Sequence, residues 1–192
     1  MSLLDASQTR PLEGGASFSL ANRLARVVWM ITWLVLARFT PPPLHAWRRL
    51  VLKAFGAKIG RGVRVHASAA IWWPGNLELA DFVLVGPGAR IYNQGRIAIG
   101  PRTVISQRAH LCASSHDVDD PHFQLVCKPI TLGAQCWVAA EAFVGPGVHM
   151  ADRSVLGARG ALFRDTEVDG VYSGNPAVLI KRRNLRPDRA DD

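Results

Sequence analysis

The chain of 192 residues has no apolar run long enough to cross a bilayer. Its greasiest stretch, residues 27–37, falls well short of the roughly 20 apolar residues that a spanning helix needs. Its start carries Asp5 and Glu13 in place of the basic segment that opens a secretory signal, so it reads as a cytoplasmic protein. Cysteine is scarce. Cys112, Cys127 and Cys136 form no CxxC motif, which excludes a disulfide framework and suits a reducing compartment. Acids are also in deficit, 15 against 23 lysines and arginines, for a formal charge of +8. Such an excess attracts nucleic acid, an anionic membrane or a phosphate-rich ligand. No helix-turn-helix pattern and no interleaving of aromatic and basic residues is present, so nucleic acid is not the expected partner.

What is there divides the chain in two. Hydrophobic residues make up 48% and mean hydropathy is near zero, which describes one globular domain with some greasy surface. Residues 1–16, with Gly14 and Gly15, read as a loose tail. Residues 17–56 read as helical. Ser17 or Ser19 caps a helix to about Arg38 whose apolar residues Leu20, Leu24, Val27, Val28, Ile31, Leu34 and Val35 have helical spacing. Pro41, Pro42 and Pro43 break it, and a second helix runs from Leu44 to Gly56. These helices have three readings: they pack on the main domain, meet a partner subunit, or rest on a membrane surface. Arg23, Arg26, Arg38, Arg48, Arg49 and Lys53 form one basic cluster here, and Lys181, Arg182, Arg183 and Arg186 form a second at the other end.

From residue 57 an aliphatic residue recurs every sixth position. Ile59, Val65, Ile71 and Leu77 form one series. Leu79, Val85, Ile91 and Ile97 form another, and Ile99, Ile105 and Leu111 a third. Leu132, Val138, Val144, Met150, Leu156 and Leu162 form the last. Neither a helix nor a flat strand has this period. A solenoid does, if six residues make one side of a triangular coil and the aliphatic side chains stack inward. Two-residue shifts between series are extra corner residues. The rhythm fails across residues 112–130, a polar stretch with Ser114, Ser115, His116, Asp117, Asp119, Asp120 and His122, and a loop that interrupts a solenoid is a usual place for function.

Four stretches carry a resemblance: ISQRAHLCASSHDVDDPHFQL at 105–125, KPITLGAQCWVAAEAFVGPGVHM at 128–150, SGNPAVLIKR at 173–182, and the helical prefix. Together they resemble the hexapeptide-repeat acyltransferases, in particular the colanic-acid-biosynthesis type, related to the maltose, galactoside and nodulation-factor O-acetyltransferases. The resemblance covers nearly the whole chain after residue 17. It implies a left-handed parallel β-helix over 57–180, with a protruding loop at 112–130 and a basic tail at 181–192. It also implies a homotrimer in which acetyl-CoA lies between neighbouring subunits, with no metal required.

By that match His116 is the base that deprotonates a sugar hydroxyl, and histidine suits the task near neutral pH. Glu141, Asp117 and Asp119 compete for the carboxylate that orients it. Trp137 matches the tryptophan near the reacting centre. Ala140 offers an amide and Ala158 a carbonyl to the pantetheine arm. Arg164, Lys181 and Arg183 are candidates for the CoA phosphates, and Asn93 for the acceptor sugar. The glycine-rich segment that many relatives have after the tryptophan is here Val138-Ala139-Ala140-Glu141. The acceptor implied is a sugar or a lipid-linked oligosaccharide, with residues 17–56 able to bring the enzyme to the inner membrane surface. His110, His116 and His122 lie six apart, so a zinc site like that of γ-class carbonic anhydrases is the alternative. A non-catalytic scaffold is the third reading.

Overall fold

The computed structural model describes residues 3–185. Residues 58–174 wind into a three-faced parallel solenoid whose coils are built as follows. The first has β1 (Lys58–Ile59), β2 (Arg64–Val65) and β3 (Ala70–Ile71). The second has β4 (Leu77–Leu79), β5 (Leu84–Val85) and β6 (Arg90–Tyr92). The third has β7 (Ile97–Ile99), β8 (Val104–Ile105) and β9 (His110–Cys112). A hairpin, β10 (Ser114–His116) and β11 (Leu125–Cys127), then leaves the solenoid. The fourth coil has β12 (Ile130–Leu132), β13 (Trp137–Val138) and β14 (Phe143–Val144). The fifth has β15 (His149–Met150), β16 (Val155–Leu156) and β17 (Ala161–Leu162). β18 (Gly170–Gly174) begins another coil, and β19 (Ala177–Arg182) folds back antiparallel on it through a turn with a cis Asn175–Pro176 bond.

The first strands of each coil stack as one face, the second strands as another, the third as the last. Register explains the sequence series. In the early coils Lys58 lies opposite Glu78 and Arg64 opposite Leu84, so one coil takes 20 residues. In the late coils Thr131 lies opposite His149 and Trp137 opposite Val155, so one coil takes 18. The two-residue shifts do not fall at corners as expected: Leu77 and Leu79 both point inward from β4, and Ile97 and Ile99 both point inward from β7, so the shift lies within the first-face strand. Members of successive series stack across the coils into inward columns: Val65, Val85, Ile105, Val138 and Leu156 on the second face are fully buried, and Ile71, Ile91, Leu111, Val144 and Leu162 line the third. Burying each such side chain contributes about 1.5–3 kcal/mol. The alanines Ala69, Ala89, Ala109 and Ala142 form a further buried column at the corner that leads into the third face, where a larger side chain has no room.

Corner residues take left-handed backbone. Arg108, Glu141 and Arg159 do so at the corner between the second and third faces, with φ of 57°, 60° and 57°. Non-glycine residues bear this cost, and here their side chains tie the coils together. Glu141 pairs with Arg159 at 2.8 Å and with Arg108 at 3.6 Å.

The N-terminal residues form α1 (Ala6–Thr9), α2 (Leu20–Leu36) and α3 (His45–Ala54). Ser19 caps α2 by accepting the Asn22 amide. Both longer helices pack on the first coil. Trp29 donates its indole N–H to the Ile71 carbonyl at 2.8 Å, and Trp29, Trp33, Val51 and Leu52 are buried. Arg48, one of the basic front cluster, is fully buried and fastens the proline bend: its guanidinium donates to Val65, Pro41 and Pro42 carbonyls and to the Thr40 hydroxyl. Residues 3–16 are not the loose tail expected. Leu3 bridges Phe18, the Leu4 amide donates to the Ser17 carbonyl, and the Ala6 amide donates to Gln124 Oε1 at 2.8 Å. Gln124 lies in the protruding hairpin, so this strap docks on it. At the other end Lys181 belongs to β19 rather than to a tail, and Arg186 lies outside the described residues.

Candidate active site

The hairpin that breaks the six-residue rhythm holds His116 at its end, opposite Leu125. Asp117 donates its amide to the Gln124 carbonyl. The tip beyond it is a run of side-chain-closed turns. Asp117 Oδ1 accepts the Asp119 amide and Asp120 Oδ1 accepts the His122 amide. These turns bring Phe123 round in a left-handed conformation, φ 51°, so that its carbonyl accepts a hydrogen bond from His116 Nδ1 at 2.6 Å. A carbonyl only accepts, so Nδ1 carries a proton, and in the neutral ring Nε2 keeps its lone pair. The ring is therefore held in the tautomer of a general base.

Within one chain neither expected carboxylate, Glu141 or Asp117, reaches the His116 ring. Glu141 sits at the corner between the second and third faces, committed to Arg108 and Arg159, whereas His116 leaves the corner between the third and first. Its hydrogen bond from Arg159, with that charge, holds the Glu141 carboxyl below the usual range. Asp117 spends a carboxylate oxygen on the loop turn. Within one chain the atom bonded to His116 Nδ1 is a backbone carbonyl, which residue types alone do not reveal.

His116 borders a cavity of about 650 Å³. Its walls come from the strap at Gly14–Phe18, from Arg23 and Arg26 of α2, from Trp72, Tyr92 and Gln94, and from Ser115. None of the strap or helix residues was expected here: the strap reaches the hairpin through Gln124, and α2 reaches the cavity through Trp29 and Arg26, which pack on the first coil. A second cavity of about 510 Å³, bounded by Lys128 and Pro146, touches His116 from another side. Asn93, expected to face the acceptor, is turned inward and fully buried. Its Oδ1 accepts the Trp73 amide at 3.1 Å and its Nδ2 donates to the Trp73 carbonyl at 2.6 Å. Its neighbours Tyr92 and Gln94 face the cavity instead.

Of the residues expected to hold CoA, the structure brings three together. Trp137, Lys181 and Arg183 border a groove of about 1150 Å³ on the second face. Trp137 is half exposed and donates its indole N–H to Ser106 Oγ. Ala140 and Ala158 lie one coil apart at the corner beside that face, since Val138 is opposite Leu156. Arg164 follows β17 on the third face and does not border the groove. Thus Trp137 and His116 of one chain lie on different faces and border different cavities. The three histidines do not gather. His110 lies edge-on to Tyr92 and Phe143 in a surface ladder, and among the described residues no three His, Cys, Asp or Glu side chains cluster.

No family model matches the chain. It is 39% identical over 166 residues to WcaF of Escherichia coli K12, described as a colanic acid biosynthesis acetyltransferase, with 86% of this chain and 91% of that protein covered. Among solved structures, a galactoside acetyltransferase in complex with coenzyme A superposes with a TM-score of 0.80 at 19% identity, covering 94% of this chain and 92% of that one. A hexapeptide-repeat acetyltransferase of Vibrio cholerae complexed with acetyl coenzyme A superposes at 0.78 and 18%, covering 93% and 98%. The fold is thus the left-handed parallel β-helix of acetyltransferases. The chain belongs to the hexapeptide-repeat acetyltransferase family and is an acyltransferase.

Proposed function

We propose that the protein moves the acetyl group of acetyl-CoA to a hydroxyl of a sugar during assembly of a surface polysaccharide; its 39% identical relative is named for acetyl transfer in colanic acid biosynthesis. The observation that carries the chemistry is the His116–Phe123 hydrogen bond, with Nε2 left free beside a cavity of sugar size. Nε2 takes the proton of the acceptor hydroxyl as its oxygen attacks the thioester carbonyl. The tetrahedral adduct collapses, the C–S bond breaks, and the CoA thiolate leaves with the proton that the imidazolium returns. The Phe123 carbonyl steadies the imidazolium throughout. Such a base contributes about 10²–10⁴ in rate.

The donor reading rests on the second-face groove. Trp137 with Lys181 and Arg183 suits a pantetheine arm and its phosphates, and the Ala140 and Ala158 corner offers backbone groups alongside. Because that groove and His116 are on different faces of one chain, we propose that a complete site forms between subunits of a homotrimer, one lending the histidine and its neighbour the groove. Mixing inactive His116→Ala and Trp137→Ala proteins, with subunit exchange, tests this. Recovered activity supports a shared site, and none supports a site within one chain.

We further propose that the enzyme works in the cytoplasm against the inner membrane surface through residues 17–56. Among the described residues no helix is long and apolar enough to cross a membrane. Yet α2 and the bend after it expose Leu24, Val28, Ile31, Leu34, Val35 and Phe39, the last 82% exposed. Between Glu13 and Glu78 the sequence has no acidic residue and nine basic ones. An apolar helix face within an all-cationic segment matches an anionic lipid surface.

A further inference from the structure

Two cations in the wall of the His116 cavity have no acidic partner among the described residues. Arg23 and Arg26 lie one turn apart on α2, and the residues that border the cavity include no aspartate or glutamate. Among the described residues neither arginine takes part in an ion pair, although arginines elsewhere pair with Glu78, Asp81, Glu141, Glu167 and Asp169. Arg26 is the more telling. Its guanidinium lies 4.1 Å over the Trp72 ring, and its Nε is buried with no hydrogen-bond partner. Partial desolvation pushes its pKa below the ordinary guanidinium value, with no anion beside it among the described residues.

Arg48 shows the contrast. It is fully buried, where Arg26 is half-buried, and each of its guanidinium nitrogens donates to a named acceptor, so it is a clamp. A cation over an aromatic face gains about 0.5–2 kcal/mol, which offsets only part of a desolvation cost. The terminal nitrogens of Arg26, which borders the cavity, make no hydrogen bond among the described residues, and a guanidinium so placed can pair with a carboxylate or phosphate. Tyr92 and Gln94, whose amide donates to the Tyr92 hydroxyl, continue the same wall towards His116 with neutral polar groups suited to sugar hydroxyls.

We propose that the acceptor is an anionic sugar, bearing a phosphate or carboxylate that Arg26 binds with help from Arg23, while its hydroxyl reaches His116. This rests on the acceptor cavity being the one beside His116. A phosphate would come from a sugar phosphate or a phosphate-linked carrier, and a carboxylate from an acidic sugar.

The test is calorimetric titration of the full chain, loaded with CoA, with three probes: galactose 1-phosphate, methyl glucuronide and methyl galactoside. The expected result is that at least one anionic probe binds about 10-fold or more tighter than the neutral one, as a charge-assisted hydrogen bond supplies. Arg26→Gln should reduce that preference to within about 3-fold, and Arg23→Gln should reduce it partly. Whichever anion is preferred identifies the source. Equal binding of all probes, preference for the neutral one, or no binding by any overturns the proposal. So does loss of CoA affinity in Arg26→Gln, which would give the arginine to the donor's phosphates. Melting curves confirm that each variant is folded. Thiol release from acetyl-CoA with His116 intact reports on the transferase reading separately, so failure of one is not mistaken for failure of the other.

Discussion

Replacing Asn93 by alanine separates two accounts of one residue. In the structure its amide bridges both backbone groups of Trp73 in the coil before it, with no exposure to solvent. Alanine removes both bonds and leaves a buried N–H and a buried C=O without partners. Each such group costs about 1–3 kcal/mol, so the pair costs about 2–6 kcal/mol. For a domain of this size each kcal/mol lowers the melting temperature by about 2–4 °C. The melting temperature of Asn93→Ala should therefore fall by about 4 °C at the least, read by circular dichroism. Urea unfolding should give the same loss with little change in slope. Below the melting range, the KM for the acceptor should stay within about 2-fold of wild type. An unchanged melting temperature with a raised acceptor KM would refute the reasoning and return Asn93 to the substrate.

Other outcomes follow from the same structure. Leu111→Ala, in the buried column of the third face, should cost about 2–5 kcal/mol in urea unfolding by opening a cavity between coils. Glu141→Gln should leave turnover nearly unchanged, since the carboxylate serves the Arg108–Arg159 ladder. The folded-state pKa of Glu141 is depressed. Its contribution is thus present above the ordinary carboxylate range and is lost as pH falls through the lowered value. The melting temperatures of wild type and variant should differ at pH 7 and converge in strong acid. Val28→Glu with Ile31→Glu should abolish flotation of the full chain with anionic vesicles, and high salt should weaken flotation of the wild type. A changed oligomeric state in that variant would assign the face to a subunit contact instead.

The solenoid was legible because its period is local. Ile59, Val65 and Ile71 are six apart, and each closes one side of a coil, so spacing alone foretells which side chains stack. The helices were legible for a similar reason, from Ser19 to the proline bend. The site was less so. His116 stood out because the rhythm breaks around it, but the atom bonded to its Nδ1 within one chain is the carbonyl of Phe123, and a backbone atom has no signature in residue type. Glu141 carries charge in a conspicuous coil. Which corner it occupies follows only from counting sides, and that counting puts it one corner away from His116. Asn93 before Gln-Gly is compatible with an inward or an outward side chain, and burial decided it. Arg26 meets Trp72, and the strap meets Gln124, across long stretches of chain, through docking that no local pattern encodes.

The central claim is that His116, held by the Phe123 carbonyl, is the base of acetyl transfer. Its most direct test is acetyl-CoA turnover by His116→Ala, followed as free-thiol release with an acceptor that wild type uses, and paired with a titration of CoA. The account predicts unchanged CoA affinity, an unchanged melting temperature within a degree or two, and a turnover rate lower by about 10²–10⁴. A variant that binds CoA and turns over at the wild-type rate would contradict it.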